Sequence, residues 1–205
     1  MIRNIVKFQG LLFGLIINYR LYRKLCILVD LLYTGWISRY FKQFGNGSYI
    51  YKPINVVHPS YISIGNNCKI GYKTVLSAWI IKEGDMPNLS IGKDCNIGDY
   101  NHITCAYKVI LGSGVLTGRW VTITDNSHGN GLLQEINTYP DKRNIYSKGP
   151  VVIGNNVWIG DKVTILPNVN IGDGVIIGAN SVVTQSIPPN SIAVGNPAKI
   201  IKIIK

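Results

Sequence analysis

Three histidines, His58, His102 and His128, and four cysteines, Cys26, Cys68, Cys95 and Cys105, are the side chains best equipped for covalent, metal or proton-transfer chemistry. No two cysteines are spaced CxxC, and no histidine stands at ligand spacing from one, so no metal site is expected. Nothing in the spacing of Asp and Glu suggests a paired-carboxylate site either. A histidine that is not coupled to a Ser or Cys nucleophile suits general-base work: it takes a proton from a hydroxyl and later returns one. Which of the three can do this depends on which way each points, and so on the elements that carry them.

Those elements are written in a six-residue period. Between Val151 and Pro188, apolar residues stand at Ile153, Ile159, Ile165, Ile171, Ile177 and Val183, and Gly follows four of them. A second column lies four residues on in each hexad: Val157, Val163, Val169, Val175 and Ser181. This period fits neither an amphipathic helix nor a hairpin of long strands. It is the spacing of a parallel β-helix, in which a short strand turns its aliphatics inward, the chain bends, and three hexads close one coil. A single hexad cannot bury its own apolar face, so the core exists only in the stack.

Read in order, residues 1–44 contain no hexad and are predicted helical. Arg3, Lys7, Arg20, Arg23, Lys24, Arg39 and Lys42 face one acid, Asp30. The uncharged run from Phe8 to Tyr19 is shorter than the ~20 residues that cross a bilayer. The start resembles a secretory leader, but Asn18-Tyr19-Arg20 stands where a small-residue cleavage site belongs. Two readings stay open: a basic helical segment lying on a membrane surface, or a helical cap and oligomer contact on the β-helix. Gly45-Asn46-Gly47 marks a boundary. The β-helix is expected over 45–190, irregular at first through Pro53 and Pro59, with clear hexads from Ile64 and Ile70. Residues 82–90 interrupt it, and Val109 and Ile110 read as two extra residues that shift the frame. A long loop is expected over 129–150, and loops of that length inside a compact domain are usually functional or disordered. The tail, 191–205, contains GNPAK and a run that could make one last strand.

The frame sorts the candidates. First and fifth positions of a hexad point inward and the sixth outward. His128 and Trp158 are sixth-position residues, so neither is core filler, and His128 stands where the 129–150 loop breaks out. Asp125 and Asn126 are candidates to fix its tautomer. His102 is also outward but has no loop beside it, and reads as surface or subunit contact. Cys68 and Cys95 fill the small inward column and are expected as buried free thiols, which suits a reducing cytosol. Gly112-Ser113-Gly114 belongs to the repeat and lacks the strand–GxGxxG–helix context of a dinucleotide site.

ITDNSHG, the long loop, and SKGPVVIGNNVWIGDKVTILPNVNIGDGVIIGANSVVTQSIPPNSIAVGNPAK together resemble the hexapeptide-repeat acyltransferases, in particular the maltose/galactoside O-acetyltransferases and their capsule and O-antigen relatives. The resemblance covers roughly residues 60–202 and leaves the N-terminal segment outside it. It implies an all-β, left-handed parallel β-helix, a homotrimer, and acetyl-CoA bound between adjacent subunits. It places the catalytic base at His128. It carries the cofactor contacts onto Trp158, Asp161, Gly178, Ala179, Thr184, Gln185, Lys199 and Lys202. The sequence departs from the family in several places. Asn126 replaces a frequent first His, Asp161 a frequent Ser, and Gln185 a frequent Lys. Lys199 and Lys202 stand where Arg is common, and meet phosphate as point charges.

The formal net charge of +11 attracts phosphates, anionic lipid or nucleic acid. No nucleic-acid motif accompanies it, so the first two are expected. The leading expectation is a cytoplasmic O-acetyltransferase acting on a sugar or glycan acceptor of cell-surface polysaccharide synthesis, peripheral on the inner face of the membrane if the first reading of residues 1–44 holds. The acceptor could be lipid-linked. An N-acyltransferase on an amino-sugar nucleotide and a non-catalytic β-helix scaffold are the alternatives.

Overall fold

The structure is a computed structural model that describes residues 2–16 and 18–204. From Gln43 the chain winds through three parallel sheets, visiting each once per coil. One regular coil shows the pattern. Val151–Ile153 lies on the first sheet, Trp158–Ile159 on the second and Thr164–Ile165 on the third, and Val169–Ile171 returns to the first. The register stacks like on like: Ile153 on Ile171, Ile159 on Ile177, Ile165 on Val183. All six are fully buried, as are Val157, Val163, Val169, Val175 and Ser181 of the second column. Each buried aliphatic contributes about 1.5–3 kcal/mol relative to exposure, and only the neighbouring coil makes that burial available.

The corners hold the coils at strand spacing. A Cβ on Gly160 would stand 2.6 Å from the Ala179 amide nitrogen of the next coil, so the position admits no side chain. The residue after the corner glycine often carries an oxygen that accepts an N–H from the preceding coil. Asn155 Oδ1 accepts from the Ser113 N–H at 2.9 Å, and Asp173 Oδ1 from the Asn155 N–H at 2.6 Å.

Insertions are confined to one edge of the prism, where the chain passes from the third sheet to the first. Residues 79–87, 106–107 and the long excursion before Val151 all leave there. The placing of one of them differs from expectation. Val109 and Ile110 are in register with Leu89 and Ser90 on one side and Val151 and Val152 on the other, so they are regular strand residues. The two additional residues are Ala106 and Tyr107, at the corner. They bulge there because the Asp125 carboxylate receives the backbone N–H groups of 106, 107 and 108.

Two helices precede the coils, α1 (Ile2–Ile16) and α2 (Tyr19–Ser38), the second N-capped by Asn18, whose Oδ1 accepts the Leu21 N–H at 2.9 Å. The C-terminal half of α2 closes the open end of the first coil. Thr34 is buried, and its hydroxyl accepts the Ile50 N–H at 2.9 Å. Asp30 Oδ1 accepts the Lys52 N–H at 3.2 Å, and Tyr33 and Ile37 pack on the core. An exposed sheet end would present unpaired donors; these side chains occupy two of them. At the far end, Ser191–Gly195 continues the second sheet and Ala198–Ile203 folds back on it antiparallel.

Cys68 and Cys95 lie in the inward column of the second sheet, fully buried, each thiol aimed at a carbonyl of the following coil. Cys26, on α2, is half-buried. A water-soluble maleimide should therefore modify Cys26 first in the native protein, with Cys68 and Cys95 reacting only on unfolding. Fast loss of either buried thiol in native buffer, followed by peptide mass spectrometry, would contradict this packing.

Candidate functional site

His128 is the last residue of a short strand, Asn126–His128, that pairs antiparallel with Ile145–Ser147. This ribbon ties off the excursion at its base, with single 3₁₀ turns at Leu133–Glu135 and Pro140–Lys142 beyond it. His128 is directly opposite Ile145. Its side chain is exposed, and its ring makes no hydrogen bond among the described residues. Beneath the ribbon, on the outer surface of the third sheet, lies a cavity of about 440 Å³. Its wall combines Trp79, His102, Thr104, Thr122, Thr124 and Ile145 with Asn126, Ser127 and His128.

The cavity brings together two histidines that the hexad frame treated separately. His102 lies on the outer face of the third sheet, in register with Val75 below and Thr122 above. It was expected as a surface or subunit contact because no loop departs beside it. The loop that covers it departs one coil later, and stacking slides the ribbon over it. The same column holds Thr104 and Thr124, paired across coils, and Thr104 Oγ1 receives the Trp79 indole N–H at 2.9 Å. These residues could have been found from sequence by stacking outward positions of successive coils. That requires the two extra residues between Ile103 and Leu111 to be counted, wherever they are placed. His58 stands apart, its Nδ1 paired with the Ala78 carbonyl at 2.8 Å. Among the described residues, no three His, Cys, Asp or Glu side chains converge as a metal-binding group.

Asp125 is fully buried, and its oxygens accept three backbone N–H groups, of Ala106, Tyr107 and Lys108, each at 2.7 Å. Asn126 donates its amide to Asp125 Oδ1 at 2.9 Å and to Thr104 Oγ1 at 3.3 Å. Neither side chain hydrogen-bonds the His128 ring. Their geometry instead anchors the root of the ribbon, and so the place from which His128 emerges. Burial, followed by the nearby Asp125 charge, pushes the Cys105 thiol up to about 12, so it is a neutral core group beside the site.

The residues expected to hold the cofactor fall elsewhere on the prism. Trp158 is on the outer face of the second sheet, between Leu116 and Ile176, and half exposed. Asp161, Gly178 and Ala179 follow at the corner between the second and third sheets. The Asp161 carboxylate accepts the Arg119 N–H at 2.8 Å, the same corner-stitching role that Asn155 and Asp173 have. Lys199 and Lys202 are exposed on the last strand, which extends the second sheet. Thr184 and Gln185 are exposed beyond the third sheet, on the edge from which His128 emerges but two coils further on. None of these lines the His128 cavity.

Residues 150–185 match the bacterial transferase hexapeptide (six repeats) family. Over 182 residues the chain is 35% identical to the putative lipopolysaccharide biosynthesis O-acetyl transferase WbbJ of Escherichia coli (strain K12), covering 87% of this chain and 89% of that protein. It is 38% identical over 117 residues to the galactoside O-acetyltransferase of the same strain, spanning 57% and 55% of the two chains. Among solved structures it resembles AntD, an N-acyltransferase from Bacillus cereus in complex with dTDP and 3-hydroxybutyryl-CoA. There the TM-score is 0.66 at 25% identity, covering 83% and 87% of the chains. A maltose O-acetyltransferase from Clostridium difficile 630 matches with a TM-score of 0.53 at 28% identity, covering 89% and 86%.

Replacing Asp125 by Asn would set an amide donor against backbone donors. The expected outcome is a destabilisation on the order of 3 kcal/mol, read by denaturant unfolding. An Asp125→Asn protein as stable as the wild type would show that the ribbon root does not depend on this carboxylate.

Proposed function

Because this chain belongs to the hexapeptide-repeat acetyltransferases, we propose that it transfers the acetyl group of acetyl-CoA to a hydroxyl of a sugar used in cell-surface polysaccharide synthesis, on the cytoplasmic side of the membrane. The observation that carries this reading is His128: exposed, unpaired among the described residues, and held by a ribbon at the mouth of a cavity large enough for a sugar ring. His128 takes the proton of the acceptor hydroxyl. The resulting oxygen nucleophile attacks the thioester carbonyl, and backbone N–H groups stabilise the oxyanion. The carbon–sulfur bond then breaks, and the departing thiolate takes the proton back from the imidazolium. No acyl-enzyme forms. Trp158, Gly178, Ala179, Thr184 and Gln185 contact the cofactor, and Lys199 and Lys202 meet its phosphates. Asp161 contributes through its backbone.

The distribution of these residues supports a site completed between copies, and the assembly we propose is a homotrimer of left-handed coils. His128 leaves from the edge between the third and first sheets, whereas Trp158 and the lysines are on the second. One chain keeps the base and most cofactor contacts on different faces of the prism. A neighbouring copy that sets its second sheet against this edge completes the site.

A second reading, N-acylation of an amino-sugar nucleotide, is favoured by the likeness to AntD, an N-acyltransferase crystallised with dTDP. Incubation with labelled acetyl-CoA and a panel of nucleotide sugars, lipid-linked oligosaccharides and free glycans separates the two. Base-labile product on a hydroxylated sugar supports O-acetylation; base-stable product confined to amino sugars overturns it.

His128→Ala should lower kcat by a factor of about 10²–10⁴ at saturating acetyl-CoA, with little change in acetyl-CoA affinity. Lys199→Ala should do the reverse and raise the KM for acetyl-CoA. Near wild-type turnover in His128→Ala, with loss in His102→Ala, would assign the base to His102. Refolding the His128→Ala and Lys199→Ala chains together should restore activity if sites lie between copies. Mixtures no more active than the separate variants would place each site within one chain.

A further inference from the structure

α2 has two apolar faces, and only one has a partner. Asp30, Tyr33, Thr34 and Ile37 turn toward the first coil and hold it. Leu21, Leu25, Leu28, Leu32 and Trp36 fall within an arc of about 80° on the opposite side, at 3.6 residues per turn. All five are 43–67% exposed. Arg20 and Lys24 lie on the flank between the two faces, whereas Arg23 falls on the side of Asp30. At the C-terminal end of the stripe, Trp36 packs edge-on against Tyr40, and the Arg39 guanidinium lies 4.9 Å from the Tyr40 ring centre. α1 continues the pattern: Ile2, Val6, Phe8 and Leu11 are 59–77% exposed, while Arg3 and Lys7 share a separate side. Among the described residues no helix is long and apolar enough to cross a membrane.

We propose that this segment docks on an anionic lipid bilayer, α2 lying in the interface with its outer leucine stripe in the acyl region and its flanking Arg and Lys at the headgroups. The charge decides between lipid and a second copy of the chain. The segment carries one acid, Asp30, and that side chain is already spent on the Lys52 N–H. A second copy would bring the same basic flank to a basic flank, with no acid to meet it. A bilayer with anionic headgroups supplies both the apolar phase and the opposite charge. Trp and Tyr at one end of the stripe, next to Arg39 and Lys42, are the residue types that settle at the headgroup level. The same helix grips the first coil through Thr34 and Asp30, so the catalytic domain is held at the surface and not on a loose tether. Docking stands independently of the acyl-transfer reading. Combined with that reading, it confines the enzyme to the plane where lipid-linked sugars are found.

The test is flotation of the full-length protein with vesicles of phosphatidylcholine alone or mixed equally with phosphatidylglycerol, at low and high salt. Leu25→Ser/Leu28→Ser/Leu32→Ser removes the stripe and leaves Asp30, Tyr33, Thr34 and Ile37 in place. Arg20→Gln/Lys24→Gln removes the flanking charge. Thermal midpoint and mass by light scattering check that each variant folds and assembles as the wild type does. The expected result is wild-type flotation with the anionic vesicles, about tenfold less bound protein for the serine variant at unchanged mass, and loss of the salt-sensitive preference for the charge variant. Wild-type protein that never floats, or a serine variant that floats equally, overturns the proposal. A serine variant that changes oligomeric mass and not flotation assigns the stripe to contact between copies.

Discussion

Each coil must lie on the coil before it at strand distance, and the corners are where this is hardest. A Cβ on Gly160 or Gly112 would stand 2.6 Å from the backbone of the next coil, too close for any side chain. The corner therefore alternates a bare glycine with a residue whose oxygen captures an N–H from the neighbouring coil, as Asn155, Asp161 and Asp173 do. Aliphatic burial stabilises the stack, but the corners set its registry. Once the registry holds, every inward Ile or Val meets its counterpart and every outward residue joins a column on one of three faces.

That constraint also decides where the protein can vary. Extra residues inside a strand would break its pairing with the coils on both sides, whereas extra residues at a corner disturb only the turn. In this chain the third-to-first edge takes them all: 79–87, 106–107 and the excursion tied by the Asn126–His128 ribbon. The cavities next to the ribbon are consequently made of residues from different coils that share an edge. One lies between Lys82, Asp85 and Met86 of the first insertion and Tyr146 to Gly149 of the third, and the other holds His102 and His128. Asp125 is the joint between stability and site. Its buried carboxylate closes the 106–108 bulge and, through Asn126, roots the ribbon that carries His128.

The two ends of the stack are solved differently. The last coil is closed by the strand Ala198–Ile203 folding back on the second sheet, which puts Lys199 and Lys202 on the same face as Trp158. The first coil is closed by α2, a helix that must satisfy sheet donors on one side. That leaves its other side, and the described side chains of α1, exposed.

Much of this was legible in the amino-acid order because a period-six code is local. The inward columns from Ile153 to Val183, the buried Cys68 and Cys95 and the outward orientation of His128 all follow from counting within a hexad, and the helical character of the first residues from its absence there. Counting fails where residues are inserted, since the frame after an insertion can be recovered in more than one way. The surplus at 106–107 was assigned to 109–110, because only the capture of three N–H groups by Asp125, seventeen or more residues on, selects the corner. The meeting of His102 with His128 under the ribbon was likewise decided by stacking across an insertion. So was the use of Asp161 as a backbone acceptor, which depends on the Arg119 N–H a full coil away. Sequence determined which face of the coil each residue occupies. Which coils lie next to one another, and so which side chains share a site, was settled only by the hydrogen bonds and close contacts between coils.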